Sequence, residues 1–151
     1  MAGPVSNAIR DIMSTDVLTC TPQNNLYEVA VKMKEHDIGI IPIVEGQKLV
    51  GLITDRDLVI RGCAAKLPDS TAVSQIMTTH VETISPNDQI EGVAQRMAVN
   101  QIRRLPVVEN GNLIGVVSIG DLALREAHDQ KALHALSSIS EHEHREPPAV
   151  H

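Results

Sequence analysis

Two stretches carry the groups best suited to chemistry: Gly51-Leu52-Ile53-Thr54-Asp55-Arg56-Asp57 and Gly115-Val116-Val117-Ser118-Ile119-Gly120-Asp121. In each, an apolar run leads through a hydroxyl residue to a carboxylate three positions on, with a glycine three before the hydroxyl. That spacing makes a helix start, with Thr54 or Ser118 as N-cap and Asp57 or Asp121 facing the positive end of the helix dipole. The same groups have a second use. Backbone N–H groups free at a helix start attract phosphate, and a carboxylate one turn in can accept both hydroxyls of a ribose. Beside them, an aliphatic wall of Val17 to Cys20 with Ile40, Ile41 and Pro42 can hold a base without aromatic stacking. Backbone groups near Pro42 or Pro106 can read the edge of that base.

Other reactive residues form no constellation. His36-Asp37 stands at a helix end, where adjacent polar residues are solvated. His142 and His144, with Glu141 and Glu143, offer only adventitious metal contacts in a polar tail. No nucleophile is matched with a base and an orienting group, and no spacing suits a metal, so neither catalytic nor metal-binding residues are expected.

The elements that must position these loops are written twice. Ile12 to Leu58 lies on Ile76 to Leu122 at a constant offset of 64 residues. Ile12-Met13-Ser14-Thr15-Asp16-Val17 faces Ile76-Met77-Thr78-Thr79-His80-Val81, Pro42 faces Pro106, and Gly51 faces Gly115. Neither half is long enough to bury much core alone, so two similar subdomains must pack as a pseudo-symmetric pair with a ligand cleft between them. Each unit reads strand, helix, strand, strand, helix. Val17 to Cys20 opens the first, followed by a helix with Leu26, Val29, Ala30 and Met33 on one stripe, capped by Asn24 or Asn25. Ile38 to Val44 and Leu49 to Ile53 then form a hairpin about Glu45-Gly46-Gln47, with Pro42 requiring that its strand lie at an edge or turn the missing N–H away from its neighbour. Thr54 opens a helix carried by Leu58, Val59 and Ile60. The second copy repeats the order through Val81 to Ile84, Ile90 to Met97, Leu105 to Val108 and Leu113 to Val117, turning at Asn110-Gly111. Ahead of the first unit, Ser6 or Asn7 caps a short helix through Met13. The expected division is a first repeat over 6–63, a linker over 64–72, a second repeat over 73–126, a helix extension over 127–140 and a disordered tail over 141–151. The fold class is α+β.

Composition narrows the role. Of 151 residues, 42% are hydrophobic, yet there is no Trp or Phe and a single Tyr, so the core must be aliphatic. A net charge of −6 with no basic run argues against nucleic acid or an anionic membrane as the main partner. Nothing at the amino terminus resembles a signal peptide, and no apolar stretch is long enough to span a bilayer. Cys20 and Cys63 are too few for a disulfide framework and suit a reducing cytoplasm.

Over about Ser6 to Leu124 the chain resembles the paired cystathionine-β-synthase (CBS) domains, the Bateman module. The resemblance rests on the element order, the Ile-Met-x-Thr openings, the proline of the second strand and both Gly-x-x-Thr/Ser-x-x-Asp loops. It implies an adenosine-containing regulatory ligand, AMP, ADP, ATP or S-adenosylmethionine, between the repeats, and pairing of two modules into a homodimer. Asp57 and Asp121 would then hold ribose, Thr54 and Ser118 would meet ribose or phosphate, and the preceding strands would line the base. The repeats differ at Ile102-Arg103-Arg104-Leu105-Pro106, which faces Ile38-Gly39-Ile40-Ile41-Pro42. By the resemblance Arg103 first, and Arg104 second, would contact phosphate; a solvated or intersubunit ion pair is the other use of these guanidiniums. Arg56 follows Asp55 only in the first copy, where the second has Gly120, so the two pockets should be inequivalent. The expected role is a cytoplasmic sensor reporting to an unidentified protein effector, not an enzyme. The alternative is a ligand-independent scaffold in which the loops only cap helices.

Overall fold

The computed structural model describes residues 7–126. The first repeat contains helix α1 (Leu26–His36), strands β1 (Ile40–Glu45) and β2 (Lys48–Thr54), and a short helix α2 (Asp55–Asp57) that runs on as a π-helical turn over Leu58–Cys63. The second contains α3 (Ile90–Asn100), β3 (Arg104–Glu109), β4 (Asn112–Ser118) and helical backbone α4 over 119–126. Single 3-10 turns at Ile9–Asp11 and Val73–Gln75 open the two repeats.

Local chemistry sets each boundary. Asn25 and Glu28 close a reciprocal capping box at the start of α1, and Leu26, Val29 and Met33 turn its buried stripe inward. The helix stops at Asp37 in left-handed backbone (φ 51°), whose N–H returns to the Met33 carbonyl; Gln101 (φ 55°) ends α3 on Met97 in the same way. The hairpin turns differ as their residues require. Gly46 alone has positive φ in the first, whereas both Asn110 and Gly111 do in the second, the signature of a type I′ turn.

The four strands form one antiparallel sheet in the order β1-β2-β4-β3, the two hairpins meeting at the single register pair Lys48–Asn112. Both prolines lie in edge strands. The Pro42 carbonyl accepts from Cys20 N–H at 3.1 Å, and the Pro106 carbonyl accepts from Ile84 N–H at 3.0 Å. Since N–H and C=O of one strand residue point the same way, each proline's missing donor faces outward, away from its hairpin partner. This also corrects the expected first strands. Val17 to Cys20 and Val81 to Ile84 are not strands but make one parallel bridge each, Cys20–Ile43 and Ile84–Val107. The next ladder bond would need a proline N–H, so the pairing ends there.

The core divides in two, and each half is completed from the other repeat. Val73 and Ile76, which lead into the second repeat, are buried with Val29, Ile41 and Ile53 of the first. Ile9, which leads into the first, is buried with Val93, Leu105 and Val117 of the second. Backbone bonds lock the exchange: Ser14 and Val116 trade N–H···O bonds of 2.9 Å each way, as do Thr78 and Leu52. It explains the matched glycines. A Cβ on Gly51 would lie 2.6 Å from Met77 Sδ, and one on Gly115 would lie 2.8 Å from Met13 Sδ and 2.9 Å from the Ser14 carbonyl.

Two smaller expectations change. The turn before Met13 starts at Ala8, whose side chain has no acceptor to cap it, and the backbone carbonyl of Asn7 accepts from the first N–H of α3 at 2.7 Å. After Thr54, Leu58 packs on the core, but Val59 and Ile60 are 57% and 50% exposed. The expected helix extension over 127–140 and tail over 141–151, with its histidines, lie outside the described residues.

Candidate functional site

The hydroxyl and carboxylate of each loop bind each other's backbone. Asp57 N–H donates to Thr54 Oγ1 and Thr54 N–H donates to Asp57 Oδ2, both at 3.0 Å. Ser118 and Asp121 repeat the box at 3.1 and 2.9 Å. Helix capping is therefore a real function of both motifs, and it engages only one carboxylate oxygen. Oδ1 of Asp57 and of Asp121 makes no hydrogen bond among the described residues. Each side chain is half-buried at the lip of a cavity.

The exchanged lead-ins decide what surrounds these carboxylates. Because Ser14 is paired to Val116, the cavity beside Ser118 and Asp121, about 300 Å³, takes its other walls from Asp16, Val17, Leu18, Ile38, Ile40 and Pro42 of the first repeat. Because Thr78 is paired to Leu52, the cavity beside Thr54 and Asp57, about 490 Å³, is closed by His80, Val81, Glu82, Ile102 and Arg103 of the second. Leu105 and Pro106 border both. Each cavity is thus a cleft between repeats, with a helix start of one facing the lead-in and edge strand of the other; that second wall is largely aliphatic beside Asp121 and mixed aliphatic and charged beside Asp57.

The two differ in charge. Beside Asp121 stand Asp16 and Arg104, whereas beside Asp57 stand Asp55, His80, Glu82, Arg103 and Arg104. Glu82 is held by Arg96 at 2.7 Å. Asp55 Oδ1 accepts the Arg56 backbone N–H at 2.8 Å, and its carboxylate covers Gly39, where an added Cβ would meet Oδ2 at 2.9 Å. The Arg103 and Arg104 guanidiniums are exposed and make no hydrogen bond or ion pair among the described residues.

Of the expected site residues, Thr54, Asp57, Ile40, Arg103, Arg104, Leu105 and Pro106 come together at one cavity, and Ile40, Pro42, Arg104, Leu105, Pro106, Ser118 and Asp121 at the other. Four line neither. Strand alternation sends Ile40 and Pro42 to the cleft but Ile41 into the core, fully buried. Cys20 is buried in the same core, where loss of hydration pushes its thiol pKa up. Arg56 and Gly120 are exposed in the first turns of their helices. Sequence reasoning passed over Asp16, His80, Glu82 and Asp55. A signal existed for one pair: Asp16 and His80 occupy an unmatched charged position inside an otherwise matched opening.

A family model described as the CBS domain matches residues 9–61 and again 73–128. The chain belongs to the CBS-domain family. This CBS pair is 43% identical over 145 residues to the Bacillus subtilis protein YlbB, covering 95% of the chain and 98% of that relative. It resembles the crystal structure of hypoxic response protein I, which has two coordinated zinc ions, with a TM-score of 0.72 and 34% identity over 80% of this chain and 99% of that one. It also resembles the CBS domain pair of protein MJ0100 in complex with 5′-methylthioadenosine and S-adenosyl-L-methionine, with a TM-score of 0.69 and 27% identity over 83% of this chain and 99% of that one. Among the described residues of the CBS pair, no cluster of three or more His, Cys, Asp or Glu side chains is arranged to hold a metal, and no helix is long and apolar enough to cross a membrane.

Proposed function

We propose that this CBS pair is a regulatory module that binds an adenosine-containing ligand in its inter-repeat cleft and passes the occupancy on through a homodimer to a protein effector. The observation that carries the reading is the makeup of the two cavities. Each sets a hydroxyl and a half-buried carboxylate, one oxygen of which makes no hydrogen bond among the described residues, against aliphatic side chains of the other repeat, Val17, Leu18, Ile38, Ile40 and Pro42 in one and Val81, Ile102, Leu105 and Pro106 in the other. Ribose hydroxyls fit the carboxylate, a flat base fits the aliphatic side chains, and a phosphate fits Arg103 and Arg104, which have no partner among the described residues. The adenosyl ligands bound by the MJ0100 CBS pair support the same class. AMP, ADP, ATP and S-adenosylmethionine are the candidates, and the module performs no catalysis of its own.

Linkage supplies the mechanism. A ligand that touches both repeats favours one relative setting of the hairpins, and exposed apolar side chains such as Val59, Ile60, Ile119 and Leu124 offer contacts through which a second copy would read that setting. The two capping boxes favour a second reading, a ligand-free scaffold, because they give the Thr/Ser and Asp residues a complete structural task.

Calorimetry with ribo- and 2′-deoxyadenosine ligands separates the two. Asp57→Asn and Asp121→Asn keep an oxygen for the cap but lose the charge for ribose, so at least one should lower affinity by about tenfold or more. Equal binding of ribo and deoxy forms, with both variants at wild-type affinity, would remove the ribose assignment. No binding or thermal shift with any of the four ligands would leave the scaffold.

A further inference from the structure

The two cavities share a wall. Ile40, Leu52, Arg104, Leu105 and Pro106 border both, and of these only Arg104 carries a charge. Its guanidinium is exposed and has no partner among the described residues. The position 64 residues earlier is Ile40, so the cleft holds one shared cation where exact two-fold symmetry would give two or none. Apart from Arg104, the charged residues bordering the Ser118/Asp121 cavity among the described residues are Asp16 and Asp121, both acidic. The Thr54/Asp57 cavity keeps Arg103 as a cation of its own.

We propose that Arg104 couples the two cavities negatively, and only for phosphorylated ligands; the inference rests on the adenosyl reading above. An Arg side chain presents one planar fork, and a phosphate that engages it bidentately fixes its direction. Arg103 draws the first phosphorylated ligand to the Thr54/Asp57 cavity, and Arg104 turns to the same phosphate. The other cavity is then left with two carboxylates and no cation. A second phosphorylated ligand binds there without its charge-assisted partner, at a cost of about tenfold or more in affinity. An adenosyl ligand with no phosphate, neutral or carrying a sulfonium, loses nothing and is the preferred occupant. The coupling is reciprocal, as linkage requires.

Calorimetry on the full chain tests this with AMP and adenosine as probes. Val17 borders only the Asp121 cavity and Val81 only the Asp57 cavity, so Val17→Trp and Val81→Trp each leave one cavity open, and Val17→Phe and Val81→Phe serve if the larger ring prevents folding. The expected result is a second AMP step in wild type about tenfold weaker than the Asp121-side constant measured alone in Val81→Trp, with no such gap for adenosine. Arg104→Ile, which copies the other repeat, should abolish the gap. Wild-type AMP steps that equal the two isolated constants, or a gap that survives Arg104→Ile, would overturn the coupling while leaving the adenosyl reading intact. No binding of either probe to wild type would instead overturn that reading.

Discussion

The two repeats agree where the backbone needs them to and differ where the cleft is open. Gly51 and Gly115 match because Met77 and Met13 of the opposite lead-ins occupy the space of a side chain. Pro42 and Pro106 match at sheet edges, and Thr54/Asp57 and Ser118/Asp121 match as capping boxes. Four of the differences fall at the cavities: Gly39 against Arg103, Ile40 against Arg104, Asp16 against His80, Leu18 against Glu82. In a duplicated module, then, matched positions mark what both halves need in order to fold. Unmatched charges on the shared cleft are what would let the two pockets select differently under the proposed function.

The most severe way to break this comparison is to cut the exchange between halves. Ile9 is fully buried in the second core although it opens the first repeat, so Ile9→Ala should cost about 2 to 5 kcal/mol. Hydrogen exchange should then show lost protection in α3, β3 and β4 rather than in α1, β1 and β2. Losses confined to the first repeat would mean that the lead-ins are not exchanged.

The glycines come next in size. Overpacking by one methyl should cost about 1 to 3 kcal/mol at either site in urea titrations. Gly115→Ala should be the worse of the two, because its new Cβ meets the Ser14 backbone carbonyl at 2.9 Å, against 3.1 Å from the Thr78 carbonyl for Gly51, and backbone yields less readily than the methionine side chain each also meets. Wild-type stability in both variants would show that the match has another cause. Removing a cap hydroxyl is milder: Thr54→Ala and Ser118→Ala should each lose about 1 kcal/mol and by similar amounts, since the two boxes have the same geometry. A large inequality would separate the loops functionally. The smallest effect belongs to the ion pairs without a counterpart, Arg10–Glu109 and Arg96–Glu82, whose side chains are about two-fifths to one-half exposed. Alanine at Arg10 or Arg96 should change stability by less than about 1 kcal/mol, and the difference should fade in high salt.

Much of this was legible in the sequence, and the reasons are physical. Helix stripes such as Leu26-Val29-Met33, the Asn110-Gly111 turn and the edge prolines all act over a few residues, so pattern alone reveals them. The exchange of lead-ins was not legible, because Ile9 and Val73 look alike and only tertiary contact decides which core each enters. The same blindness made Val17 to Cys20 read as a strand, although Pro42 across the sheet edge allows a single bridge. At the site, the repeated glycine favoured a ligand loop on paper, whereas methionine packing accounts for it. Cys20 and Ile41 sat in apolar runs whose cleft-facing and core-facing residues only the strand pairing distinguishes.

The comparison between repeats meets its most direct test in calorimetry of AMP and adenosine against wild type and Arg103→Ala. Arg103 stands where the first repeat has Gly39, makes no ion pair among the described residues and borders the Thr54/Asp57 cavity. The account predicts that Arg103→Ala weakens AMP by about tenfold or more, leaves adenosine nearly unchanged, and shows a gap that narrows as salt is raised. Equal losses for AMP and adenosine, or none for either, would contradict it.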